Sequence, residues 1–183
     1  MLQSPPVPHS PPGIWRGQPI VLVGLMGAGK STVGRRLATR LNLPFVDADT
    51  EIEAAAGMSI SDIFSQFGEP YFRDGERRVI QRLIDGRAKV IATGGGAFVN
   101  DATRQLILSD TLAIWLDAPV DVLAERVRRR DSRPLLRGRD PVAVLRDLAA
   151  VRNPLYALAH LRIASANAPH DVTVRAIMEA LGR

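Results

Sequence analysis

The stretch from Gly24 to Thr32 constrains this chain more than any other. Gly24, Gly29, Lys30 and Ser31 fall in the spacing G-x-x-x-x-G-K-[S/T]. The stretch sits between a continuous apolar run at residues 19–24, the pattern of a buried parallel strand, and a helical periodicity at residues 30–41. Glycines let the backbone wrap closely enough for successive N–H groups to face phosphate oxygens, and the helix starting near Gly29 adds the positive end of its dipole. The amides of Gly27, Ala28, Gly29, Lys30, Ser31 and Thr32 are therefore expected to cradle a nucleoside triphosphate. Lys30 is expected to reach its β- and γ-phosphates, and Ser31 to place a hydroxyl on Mg²⁺. The alternative is a glycine-rich turn with an incidental lysine. Scarcity argues against it, because Lys30 and Lys89 are the two lysines among 24 basic residues.

At 183 residues and 46% hydrophobic, the chain suffices for one domain with a substantial core. Five prolines among the first twelve positions, with no basic start and no apolar stretch, make residues 1–18 read as a disordered Pro-rich tail ahead of a domain at 19–183. Cysteine is absent, so no disulfide or zinc-thiolate site is available. No run approaches the length of a membrane span, and a cytoplasmic monomer without a membrane partner is expected. The net charge of +5 invites a nucleic-acid partner, but aromatics are 5% of the chain and form no aromatic-interleaved basic stripe. The charge is arginine, and seven arginines lie between Arg126 and Arg139. Arginine's planar fork suits bound phosphate better than it identifies a nucleic acid.

Further strand-like runs fall at residues 45–47, 89–93, 111–116 and 161–163, each followed by a helical segment. Residues 50–84 are mostly helical in pattern, with breaks near Gly57 and Gly68. This alternation predicts a three-layer α/β/α domain around a mostly parallel sheet of about five strands, with ligands beyond the carboxyl ends of the strands.

Residues with chemistry to offer cluster at those ends. Asp47 and Asp49 stand at alternate positions where the second strand ends, and project to one side if extended geometry persists. Such a pair suits phosphoryl transfer to an alcohol, one carboxylate helping to hold metal and the other orienting a hydroxyl and taking its proton. The structural alternative is Asp49 capping the next helix. Arg73 and Glu76 are three apart on a helical segment, so the carboxylate can hold the guanidinium in place. Gly94, Gly95 and Gly96 follow the third strand, where side chains would block a close approach.

Together with Phe72, Ala97, Arg133 to Leu136, Arg152 and Pro154 to Tyr156, these motifs make the chain resemble shikimate kinase over residues 20–180. The resemblance implies ATP and Mg²⁺ as cofactors and shikimate as the small-molecule substrate. It implies that Asp47 holds Mg²⁺ through water, that Asp49 is the base, and that Arg73 and Arg152 grip the substrate carboxylate. By the same resemblance Gly94, Gly95 and Gly96 line the substrate hydroxyls, and Thr93 stands near the metal's water shell. The arginine-rich stretch at residues 128–140 corresponds to a mobile lid that brings Arg133 to the phosphates. Arg126 matches a position against adenine, and the loop at residues 164–169, with Asn167, closes over the base. Two departures stand out: that loop has small side chains, and Gly75 falls within the helix carrying Arg73 and Glu76, which it is expected to loosen. Another P-loop small-molecule kinase, such as a gluconate or nucleoside monophosphate kinase, is the rival reading, and a non-catalytic nucleotide-binding module a further one.

Overall fold

The computed structural model describes residues 14–129, 136 and 138–183. Arg133, most of the expected lid and most of the Pro-rich tail lie outside the described residues. Ile14 and Trp15, assigned by sequence to the tail, pack against the core, and the Trp15 indole donates to Gln18 O at 2.8 Å.

Five strands alternate with the helices: β1 (Ile20–Val23), β2 (Phe45–Asp47), β3 (Val90–Ala92), β4 (Leu112–Asp117) and β5 (Leu161–Ala164). They pair in the order β2-β3-β1-β4-β5, and every pair is parallel. β1 is central, with Ile20 opposite Val90 on one side and Leu112 on the other. Its four side chains alternate between the two faces, yet all are 0% exposed, so both faces of the sheet are covered. Four consecutive branched apolar residues are what such a doubly covered strand requires.

The helices are α1 (Lys30–Leu41), α2 (Ala48–Ala56), α3 (Ile60–Leu83), α4 (Asp101–Asp110), α5 (Val120–Arg128), α6 (Pro141–Tyr156) and α7 (His170–Ala180), with a 3₁₀ turn at Ala97–Val99. The break expected near Gly57 is a left-handed C-cap of α2. That near Gly68 is a kink within α3, where Gly68 adopts φ 81° and ψ 175° just before Pro70. The second half of α3 restarts there and carries Phe72, Arg73 and Glu76. Gly75 lies within this second half with helical backbone geometry. Among the described residues no helix is long and apolar enough to cross a membrane.

His160 ties the end of α6 to the sheet. Its Nδ1 accepts the Ala113 backbone N–H at 3.0 Å at the start of β4. The other side of the ring bonds to the Leu108 backbone at the end of α4.

Candidate active site

The phosphate cradle follows β1 and opens into a cleft of about 310 Å³ at the carboxyl ends of the strands. Gly29 has φ 91°, and a Cβ there would stand 2.8 Å from the His170 ring, so glycine is required on both counts. Lys30 opens α1 and reaches back over the loop, donating to Gly24 O at 2.7 Å and Leu25 O at 3.0 Å. Gly27, Gly29, Lys30, Ser31 and Thr32 all line the cleft.

Both candidate carboxylates line it as well, but not as two alternate residues of an extended segment. α2 begins at Ala48, directly after β2, so the strand geometry ends at Asp47. Asp47 is the helix cap: its Oδ1 accepts the N–H groups of Asp49 at 3.0 Å and Thr50 at 3.4 Å. The capping role considered for Asp49 therefore belongs to Asp47. Asp49 instead occupies the first turn of α2, where the positive end of the helix stabilises a carboxylate. The second oxygen of Asp47 accepts the Ser31 hydroxyl at 2.6 Å, joining the cap to the cradle.

Three consecutive glycines organise the other end of the cleft. A Cβ at Gly94 would stand 2.9 Å from Asp49 Oδ1, one at Gly95 would stand 3.0 Å from an Arg152 guanidinium nitrogen, and one at Gly96 would overlap the Arg73 guanidinium. The absence of side chains is what admits all three groups to one ledge. Arg73 donates to Glu76 Oε1 at 2.7 Å and, more loosely, to Glu69. Glu76 is 1% exposed, and burial raises its carboxyl above the ordinary range even though Arg73 pulls it back down. Tyr156 is fully buried, its hydroxyl donating to Gly95 O and hydrogen-bonded by Arg152.

On the nucleotide side, Arg126 projects from α5 across the cradle. Its guanidinium donates to Gly27 O at 3.2 Å and Ala166 O at 2.9 Å, with longer contacts to Ala28 O and the Ser165 hydroxyl. Partial burial lowers its pKa. Ser165 is buried and donates to Ala28 O at 3.1 Å, so the loop after β5 is stitched to the cradle twice. Asn167 is exposed in that loop and stands outside the cleft lining. Thr93 lines the cleft while its hydroxyl donates to Leu22 O at 2.9 Å.

Tyr156, which bonds to Gly95, and His170, which lines the cleft, are residues to which the sequence reading gave no role, while Ser165 was read only as part of the loop at 164–169. Tyr156 had a usable signal: it lies four residues after Arg152 on one helix face. His170 had none, and the partner of Ser165 had none either, since Ser165 meets Ala28 across 137 residues of chain.

The family model for shikimate kinase matches residues 26–182. A shikimate kinase of Caulobacter vibrioides is 60% identical over 166 residues, covering 91% of this chain and 83% of the relative. That of Zymomonas mobilis is 53% identical over the full length of both chains. Among solved structures, shikimate kinase from Acinetobacter baumannii in complex with shikimate superposes with a TM-score of 0.85 at 39% identity, covering 91% of this chain and 94% of the other.

Proposed function

This chain belongs to the shikimate kinase family, and on that premise we propose that it transfers the γ-phosphate of ATP to the 3-hydroxyl of shikimate, giving shikimate 3-phosphate and ADP. The observation that carries the reading is the convergence of Asp49, Arg73 and Arg152 on Gly94 to Gly96, at the edge of the cleft containing the phosphate cradle. Two guanidiniums and one carboxylate suit a substrate with a carboxylate at one end and an alcohol at the other.

In this reading the amides of residues 27–32 hold the triphosphate, and Lys30 exchanges its contacts with Gly24 O and Leu25 O for phosphate oxygens. Arg73 and Arg152 take the carboxylate, which directs the ring hydroxyl toward Asp49. Asp49 accepts the hydroxyl proton as the oxygen bonds to the γ-phosphorus and the bond to the β-phosphate oxygen breaks, releasing ADP. Arg133 adds positive charge to the phosphates, while Arg126 and Asn167 belong to the base side.

Ser31 Oγ and Asp47 Oδ2, 2.6 Å apart in the cleft, are hard oxygens that fit Mg²⁺, which takes one or two protein oxygens and completes its shell with phosphate and water. When bound there, the ion neutralises charge on the phosphates. By the family resemblance Asp47 would act through water, with Oδ2 facing the ion and Oδ1 on the helix cap.

A coupled ADP-release assay with shikimate, gluconate and AMP as acceptors tests the reading. Turnover is expected with shikimate alone, and turnover confined to AMP or gluconate would overturn it.

A further inference from the structure

Tyr156 ends α6, and its ring is walled by Phe98 and Trp115, with ring centroids 6.3 Å and 6.0 Å away. A phenol that is 0% exposed must find partners for its hydroxyl, or burial costs more than the ring's packing recovers. One O–H supplies one donor and two lone pairs. The donor goes to Gly95 O, and a lone pair takes the hydrogen bond from Arg152, one helical turn earlier on the same face. Gly95 faces the cradle on its other side: a Cβ there would stand 3.6 Å from Gly24 O and 3.7 Å from the Met26 amide nitrogen.

We propose that Tyr156 is a positioning residue: its hydroxyl locks Arg152 to the Gly95 backbone, and so holds the carboxylate grip in register with the phosphate cradle. The inference rests on the acid substrate proposed above. A guanidinium on a long side chain is a poor orienting device unless something fixes it. Arg152 feels the charge of buried Glu76, but a charge alone sets no direction, and the hydroxyl of Tyr156 supplies a directional contact. Burial also pushes the phenol up to about 12, which keeps the proton on the donor throughout the neutral range.

Tyr156→Phe keeps the ring and removes the hydroxyl. The KM for shikimate is expected to rise roughly tenfold, with kcat within about threefold and the KM for MgATP within about twofold of the unaltered enzyme. In an Arg152→Ala background the same change is expected to shift the shikimate KM by less than about twofold, because the two groups act as one unit. Equal losses for both substrates, or full effects in both backgrounds, would mean that the hydroxyl serves packing alone.

A second measurement does not depend on that variant folding. The chain has two tyrosines, so 3-fluorotyrosine incorporated into the Tyr71→Phe chain labels position 156 alone. Its fluorine resonance is expected to move on shikimate addition and to stay put when Arg152→Ala is added, and a resonance indifferent to shikimate overturns the proposal. If the unaltered chain shows no shikimate-dependent ADP release, the functional reading falls and this inference with it. Normal turnover with an unchanged shikimate KM in Tyr156→Phe sinks the inference alone.

Discussion

The carboxylate of Asp47 has two jobs on two oxygens: one accepts the Ser31 hydroxyl at 2.6 Å, and the other accepts the Asp49 N–H at 3.0 Å to cap α2. Asparagine caps helices as well as aspartate does, and its amide can still meet the Ser31 hydroxyl. Asp47→Asn is therefore expected to unfold within about 0.5 kcal/mol of the unaltered chain, whereas Asp47→Ala should lose about 1 kcal/mol. Both should raise the Mg²⁺ concentration needed for half-maximal turnover, by roughly tenfold for a lost charge near the ion. Urea unfolding and a magnesium titration separate the two jobs. Equal stability losses in the two variants would show that the cap contributes nothing.

Asp49 lies against Gly94 in the first turn of α2, whose N-cap is Asp47. Asp49→Asn should leave binding of a non-hydrolysable ATP analogue intact while kcat falls by roughly a hundredfold or more, the usual effect of removing a general base. Near-normal turnover in this variant would move the base elsewhere.

Two glycines close to Arg73 should respond in opposite ways to alanine. A Cβ at Gly96 would overlap the Arg73 guanidinium, so Gly96→Ala should raise the shikimate KM roughly tenfold while the MgATP KM stays put. Gly75 sits in α3 with nothing within 4 Å of its would-be Cβ, and Gly75→Ala should stabilise the fold by up to about 1 kcal/mol. Steady-state kinetics and thermal unfolding of the pair check both.

His160 makes stability depend on pH. Burial lowers its pKa below the ordinary 6.5, and its Nδ1 can accept the Ala113 N–H only while unprotonated. The unfolded chain thus takes up the proton first as pH falls. The contribution of this ring is present above about pH 6.5 and is lost progressively as pH drops through the lower folded value. Urea midpoints measured between pH 7.5 and pH 5 should fall more steeply for the unaltered chain than for His160→Gln. Parallel slopes would mean that some other group carries the dependence.

Periodicity and punctuation made most of the fold legible in the sequence. The four-residue apolar run of β1, the glycines of the cradle and the helical repeat of α1 each declare themselves over a few neighbours. The parallel order follows because strands alternate with helices. Gly68 was readable as a break for the same reason, since a glycine weakens a helical repeat locally. The junction at Asp47 was not. Whether β2 runs on past Asp47 or turns at once into α2 depends on whether that side chain accepts the Asp49 amide, and the D-x-D spacing fits either outcome.

What the sequence determined on its own is local: the donors of residues 27–32, the element order, and the types of side chain delivered to one end of the sheet. Only the tertiary structure decided which of those side chains meet. Arg73, Arg152 and Asp49 come from three different helices, and they converge because Gly94, Gly95 and Gly96 leave room for them. Arg126 joins two segments far apart in the chain, donating to Gly27 O in the cradle and to Ala166 O in the loop after β5. Tyr156 became visible only once its hydroxyl was buried, because in water a phenol has no need of a particular partner, whereas inside the protein it must have one.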